Sequence, residues 1–474
     1  MGTPLMDAAD LSAAELGPLY RRGALSPVEV TEAVLARIAR DDGVWCATWG
    51  DHADEARAQA RAAEARWRAG TPLSALDGVP VTLKENIATR GVPQPLGCAA
   101  SVLSPAVADA LPAARLREAG AVFVARTTMP DWGMLSSGLS SFHRLARNPW
   151  DVRQNPGGSS AGAAVAAAVG YGPLHVGTDI GGSIRLPAGW CGVVGFKPSG
   201  GRVPIKPPYV GRVVGPLARS VTDVALAMQT LSQPDWRDAT SLPWQPLDWL
   251  NLEGLDVRGL RIGLGLEAGW GDALQAPVRA AVQAVAQALA QAGAVVEPMG
   301  PPSRRAMVQG LDVFWRMRSW MDYQKLPPER QACVLPYLRQ WIEPAAQFTA
   351  AQVFAGHAQI AALRDAAVAA SQPFDFVVAP VSPDVAFPAE WASPRNDPTQ
   401  PFEHIAYTVP WNMSEQPAVT LNAGWTAAGL PIGVQLIGRR HNDVGVLRLA
   451  RWWEQVRPAQ RPWPRVAEGL VSAQ

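Results

Sequence analysis

Cysteine is scarce in this chain: four residues in 474, at positions 46, 98, 191 and 333. No two stand at a CxxC or zinc-ribbon spacing, and four are too few to staple a chain of this length. They read as reduced thiols of a cytoplasmic protein. Histidine is scarce as well. The six, at 52, 143, 175, 357, 404 and 441, form neither HxxxH nor HExxH, which removes the usual patterns of a zinc hydrolase. No GxxxxGK[ST] phosphate loop occurs, and Gly263-Leu264-Gly265 lacks the third glycine of a dinucleotide loop. No metal and no cofactor is therefore expected.

A surplus of either charge is also missing. Forty-two basic and 41 acidic residues leave a net charge of +1, so no nucleic-acid partner is expected overall. One long uncharged run exists, Asn155 to Thr178, broken in charge only by His175. It is mostly Gly, Ala and Ser and is cut by Pro173, so it is not read as a membrane span. The first sixteen residues carry acids and no basic cluster, unlike a secretory signal. A hydrophobic share of 48% against 18% charged excludes wholesale disorder and supports a sizeable core.

Lysine is the informative rarity. Lysines 84, 197, 206 and 325 are the only four among 42 basic residues. Arginine stays protonated in proteins, whereas lysine loses its proton when desolvated. Lys84 follows the apolar run Val79-Pro80-Val81-Thr82-Leu83, which places it at a strand end near the core. Lys197, in Gly-Phe-Lys-Pro, is read the same way. The alternative for Lys84 is an ordinary ion pair with Glu85.

Along the chain, Ser26-Pro27-Val28-Glu29 combines a capping serine, proline at the first helical position and a capping-box glutamate. Val30, Val34, Leu35 and Ile38 then mark one helical face. A second helix is expected over 52–69. Strands at Val79–Leu83 and Ala121–Ala125, with a helix near 108–119 between them, predict a βαβ unit. Further helices are expected at 161–169, after Ser220, at 273–292 and at 445–456. Further strands are expected at Leu260–Gly263, Ala294–Glu297, Phe376–Ala379, Ala418–Leu421 and Ile432–Ile437. No fixed repeat or long linker divides the chain. The expectation is one α/β domain, 1–474, with a mixed, largely parallel-type central sheet covered by helices on both faces. Within it, 10–75 would be an N-terminal helical region and 76–300 with 372–460 the catalytic core. Residues 301–371 would be a helical insertion forming a substrate cap.

Two glycine-serine segments carry the chemistry. Gly158–Gly162 formally matches GxSxG with Ser160 at the nucleophile position, but that elbow needs a preceding strand. Asn148 to Gln154 is polar and interrupted by Pro149, so a Ser-His-Asp esterase built on Ser160 is the remote alternative. The second segment, Gly177 to Arg185, has adjacent glycines whose backbone N–H groups can turn inward as an anion nest. A serine closing such a nest has its hydroxyl beside donors for a tetrahedral oxyanion. A simple Gly-rich turn is the competing reading.

Three blocks, DGVPVTLKEN at 77–86, PGGSSAG at 156–162 and GTDIGGSIRLPAGWCGVVGFKPS at 177–199, resemble the amidase signature family. Weaker similarity runs from the ELxxLYRRGALSPVEV start to GLPIGVQLIG at 429–438. The resemblance implies a Ser-Ser-Lys triad, with Ser183 as nucleophile, Ser159 as bridging serine after a cis peptide bond, and Lys84 as base. It implies an oxyanion hole from the N–H groups of Ile180, Gly181, Gly182 and Ser183. Ser160, Asp179 and Arg185 would support the loop, and Trp132, Gly133 and Met134 lie where relatives present substrate-binding residues.

The function so implied is hydrolysis of a small or medium carboxylic amide, apolar or aromatic in view of the Trp content, through a Ser acyl-enzyme. Esters, carbamates and lactams share that chemistry. The alternative is the glutaminase component of a tRNA-dependent amidotransferase. In that group the residue after the active-site arginine is typically Gln, and here it is Leu186. Trp315, Trp320, Trp341 and Trp391 also favour a stand-alone enzyme. Allophanate hydrolases usually carry an additional C-terminal domain, and a catalytically dead scaffold is disfavoured by the intact triad. The expected partner is a small-molecule amide; a homodimer is left open.

Overall fold

The computed structural model describes residues 7–466. Residues 1–6, part of the segment read above as lacking a secretory signal, lie outside that range. Eleven strands form one sheet: β1 (Thr48–Trp49), β2 (Pro80–Lys84), β3 (Val122–Thr127), β4 (Leu174–Asp179), β5 (Val194–Lys197), β6 (Val213–Ala218), β7 (Arg261–Leu264), β8 (Val295–Pro298), β9 (Phe376–Pro380), β10 (Ala418–Trp425) and β11 (Pro431–Gly438). Their order across the sheet is β1-β3-β2-β4-β6-β5-β10-β11-β9-β7-β8.

The mixed sheet flanked by helices is as expected; the predominance of parallel pairing is not. Parallel ladders are confined to two wings, β3-β2-β4 and β9-β7-β8. The centre, β4-β6-β5-β10-β11-β9, is antiparallel throughout. Sequence periodicity reported the βαβ unit of the first wing and a strand, helix and strand over 260–297 in the second. It missed β4, β5 and β6, whose short apolar runs are broken by His175 and Gly177, by Gly195, and by Gly215-Pro216.

Local signals fix the frame around the sheet. Ser26 accepts from the Glu29 N–H at 3.2 Å and the Glu29 carboxylate accepts from the Ser26 N–H at 2.8 Å, closing the expected capping box of the helix Pro27–Trp45. Val30 and Val34 are buried as read, while Leu35 and Ile38 are half-buried. Arg37 takes a buried place on that helix instead. Its two terminal guanidinium nitrogens donate to Asp7, Asp10 and the Gly170 carbonyl.

The helix Ala161–Val169 is buried at every position. It sits so close to the sheet that a Cβ on Gly162 would lie 2.2 Å from the Ala47 carbonyl oxygen and 2.5 Å from the Thr128 nitrogen. Only glycine permits that approach, and it brings the residues just before this helix against the end of β2.

Between β8 and β9 the chain is helical: Arg305–Tyr323, Pro328–Gln331, Pro336–Ile342 and Ala350–Ser371. These helices bury Trp315, Leu338 and Trp341 in a cluster that also holds Leu186 and Trp190. Trp315 and Trp341 each meet the Phe402 ring edge-on, at centroid separations of 5.3 and 5.6 Å. Such pairs contribute about 0.5–1.5 kcal/mol each beyond their burial. No helix among the described residues is long and apolar enough to cross a membrane.

Candidate active site

The end of β2 delivers Lys84 into the protein interior, where it is fully buried. Its Nζ lies 2.8 Å from Ser159 Oγ, 3.2 Å from Ser160 Oγ and 3.0 Å from Thr178 Oγ1. All three partners are uncharged hydroxyls. The ion pair with Glu85 does not form: Glu85 is buried with His143, whose Nε2 is 2.9 Å from its carboxylate. An ammonium ion without a contacting carboxylate is disfavoured in such surroundings. Desolvation accordingly pulls the Lys84 pKa down to about 7, against the weaker upward pull of Asp179 and Glu85.

Ser159 is buried and follows a cis peptide bond from Gly158. Its neighbour Ser160 donates its backbone N–H to the Ser183 carbonyl at 3.1 Å, tying the two serine segments together. The Ser160 hydroxyl lies 3.2 Å from the Thr178 carbonyl. No strand precedes Ser160, and the buried His175 is bonded instead to Thr82 Oγ1 at 2.8 Å and the Gly172 carbonyl at 3.1 Å. Neither requirement of a Ser-His-Asp elbow at Ser160 is therefore met.

Ser183 sits at the turn between β4 and the helix Arg185–Cys191, half-buried. Its hydroxyl makes no hydrogen bond to any described residue. The backbone N–H groups of Ile180, Gly181 and Ser183 likewise find no protein acceptor among the described residues. Gly182 differs from expectation. Its N–H donates to Asp179 Oδ1 at 2.8 Å, so it is not available to an oxyanion. Three of the four N–H groups named for the turn are therefore free of protein acceptors among the described residues, and the Asp179 carboxylate takes the fourth.

Asp179 also accepts from the Ile184 N–H at 3.0 Å, from Arg185 Nε at 3.1 Å and from Asn412 Nδ2 at 2.8 Å. Arg185 and Asn412 hold its pKa well below the usual carboxylate range despite complete burial. Arg185 reaches on to the Thr408 carbonyl and to Gln435 Oε1, both at 3.0 Å. Asp179 and Arg185 thus tie the glycine loop to its surroundings. Thr178, Thr408, Asn412 and Gln435 were not anticipated. Thr178 lies within the quoted block and could have been found as a hydroxyl one residue before Asp179. The other three lie more than 200 residues downstream, where no local pattern points back to the loop.

The expected substrate-binding trio comes to the same place. A Cβ on Gly133 would lie 3.3 Å from Ser159 Oγ. Trp132 and Met134 line a cavity of about 700 Å³ together with Thr178, Ile87, Leu96 and Met129.

With this geometry in place, comparison with known proteins decides the family. The amidase family model matches residues 29–447. The chain belongs to the amidase family. Among curated members of that family, it is 34% identical to a glutamyl-tRNA(Gln) amidotransferase subunit from Anaeromyxobacter sp. (strain K), over 96% of this chain and 98% of the relative. The same subunit from Symbiobacterium thermophilum is 33% identical, over 97% and 99%. Solved amidase structures superpose closely. A bacterial aryl acylamidase gives a TM-score of 0.86 at 29% identity, covering 94% of this chain and 96% of the other. The peptide amidase from Stenotrophomonas maltophilia gives 0.81 at 26%, covering 96% and 99%. Amidase-family membership makes the chain a hydrolase-type enzyme acting on carbon–nitrogen bonds.

Proposed function

We propose that this amidase-family enzyme hydrolyses a small or medium carboxylic amide through a Ser183 acyl-enzyme, with Ser159 and Lys84 as its proton relay. The observation that carries the reading is the 2.8 Å contact between Lys84 Nζ and Ser159 Oγ, made in a fully buried setting where no carboxylate touches the amine. A serine hydroxyl attacks only when a neighbour takes its proton. A neutral Lys84 amine takes the proton of Ser159, which in turn takes that of Ser183 as Ser183 Oγ bonds to the amide carbon. The carbonyl oxygen becomes an oxyanion and is received by the free N–H groups of the Ile180–Ser183 turn. Collapse breaks the C–N bond, and Ser159 passes a proton to the departing amine. Water then attacks the ester by the same relay, regenerating Ser183 and releasing the acid.

The apolar part of the lining, Trp132, Met134, Met129 and Leu96, suits an apolar or aromatic segment of the substrate, and esters, carbamates and lactams share the same tetrahedral chemistry. In this reading the chain works as one domain, with the 301–371 helices as a substrate cap and the four free thiols in a cytoplasmic setting. Its partner is a small molecule, without nucleic acid.

The second reading is the glutaminase component of a tRNA-dependent amidotransferase, favoured by the names of its curated relatives. Against it stands Leu186, where that group has Gln. Leu186 is buried in the Trp190–Trp315 cluster, with its Cδ1 2.8 Å from where a Gly182 Cβ would be, so an apolar group abuts the reactive turn. A hydrolysis panel of aliphatic amides, anilides, lactams, carbamates and glutamine tests the choice. Turnover of anilides or aliphatic amides by the isolated chain, abolished in Ser183→Ala, is the expected result. Ammonia release from glutamine alone, stimulated by partner subunits, would overturn it.

A further inference from the structure

The cavity that holds Trp132 and Met134 also holds two arginines, Arg212 and Arg318. Both are half-buried. Arg318, on the helix Arg305–Tyr323, rests its guanidinium 4.9 Å from the Tyr209 ring centroid and places Nη2 3.3 Å from Met134 Sδ. Both neighbours are uncharged. Arg212 donates to the Pro207 carbonyl.

The carboxylates nearby are occupied elsewhere. Asp238 accepts from the Ile205 N–H at 2.8 Å, and from the Thr240 N–H at 2.8 Å and hydroxyl at 2.7 Å. Asp322 lines the same cavity as the two arginines and is paired there with Lys325 at 2.7 Å. Among the described residues neither Arg212 nor Arg318 has an ion-pair partner. The contrast is with Arg37 and Arg185, buried arginines that are each matched to aspartates. Burial, with the neighbouring Arg318 charge, draws the Arg212 pKa below its ordinary value. Lys206 on the same wall adds a further cation.

Two half-buried guanidinium groups that face one cavity and have no ion-pair partner of their own form a receptor for an anion. The planar fork of arginine matches a carboxylate with two parallel hydrogen bonds. The Met134 contact ties this fork to the wall beside Gly133 and Ser159, so the anion would be carried by the molecule whose amide reaches the reactive serines.

We propose that the preferred substrates are amides bearing a carboxylate remote from the scissile bond, held by Arg318 with Arg212 as the second cation. This rests on the amidase reading above. The apolar wall then accommodates the segment between the two polar ends. The carboxylate could arrive on the acyl half or on the amine half, and matched probes separate these sources.

The experiment measures kcat/KM for two pairs of anilides. Glutaranilic acid is compared with 5-methylhexananilide, its neutral isostere on the acyl side. 4-Acetamidobenzoate is compared with 4-isopropylacetanilide on the amine side. In the wild-type enzyme the carboxylate member of one pair is expected to be preferred. That preference should fall about tenfold in Arg318→Gln, through KM rather than kcat, as loss of one charge-assisted contact implies. Arg318→Lys should retain part of it, and added salt should erode it. No charge preference in either pair, or a ratio unmoved by Arg318→Gln in a variant of wild-type melting temperature, overturns the proposal. Turnover of none of the four anilides counts against the amidase reading instead. Calorimetric binding of glutaranilic acid and 4-acetamidobenzoate then decides the anion site separately: binding of either that is lost in Arg318→Gln supports it, and binding of neither ends it.

Discussion

Replacing Lys84 by methionine removes the amine while keeping most of the side chain's bulk, and it tests the proposed relay most directly. The magnitude follows from burial. With its ordinary pKa of 10.5, a lysine is deprotonated in about one molecule in 3,000 at pH 7; at about 7, half the molecules carry the free amine. Burial thus raises the fraction of competent base roughly a thousandfold. Removing a positioned base costs about 10²–10⁴ in rate, so Lys84→Met should lose at least two orders of magnitude in kcat. In the wild type, the neutral amine is the active form. Protonation below pH 7 disables it, so kcat/KM should fall about tenfold per pH unit below pH 6 and level off above pH 8. Steady-state kinetics from pH 5.5 to 9 on any turned-over anilide reads both. Stability gives an independent check on the same group. The unfolded chain keeps this proton up to pH 10.5 and the folded chain releases it near 7. Wild-type stability relative to Lys84→Met should therefore rise with pH between those values, by about 1.4 kcal/mol per unit. A flat pH–rate profile, or a methionine variant within tenfold of wild-type kcat, would refute the reasoning.

Asp179→Asn should be strongly destabilising, because it leaves the fully buried Arg185 without its carboxylate; breaking such a pair costs about 3–5 kcal/mol, readable by urea denaturation. The variant should lose activity as well, since the Gly182 and Ile184 N–H groups are held by that carboxylate. His175 and His404 are buried, and desolvation lowers each pKa from 6.5 to about 3. The unfolded chain binds these protons first as pH falls, so stability should decline between pH 6.5 and 3 by up to about 2.7 kcal/mol per unit for the pair. His175→Asn should remove about half of that slope, and an unchanged slope would count against a neutral, buried His175.

The proposed relay of Lys84, Ser159 and Ser183 was read from residue identity in short blocks. Lys84 stood out against a background of arginine, and the strand before it was written in consecutive apolar residues. Ser159, Ser160 and the glycine turn followed from their own neighbours. Gly182 shows the limit of that legibility. The pattern predicts an inward-facing N–H, but Asp179, three residues earlier, captures it. The strands β4 to β6 were missed because glycine, proline and polar residues break their short apolar runs. The strands of the centre that were read, β9 to β11, carried no signal of their pairing direction, and the sheet was taken as largely parallel.

The sequence by itself determined the local chemistry: a rare lysine at a strand end, two serine segments, a glycine turn, and helix boundaries set by caps. Tertiary structure decided what those groups became. The Lys84 proton affinity comes from exclusion of water by a whole fold, not from its neighbours in the chain. Asn412, on the short helix Val409–Met413, and Gln435, on β11, join Arg185 from elements that periodicity cannot connect to it. Arg318 meets Met134 across 184 residues, and that meeting exists only once the helical insertion has packed against the sheet. Desolvation and long-range contact are properties of the packed molecule, which is why the first kind of information is local and the second is not.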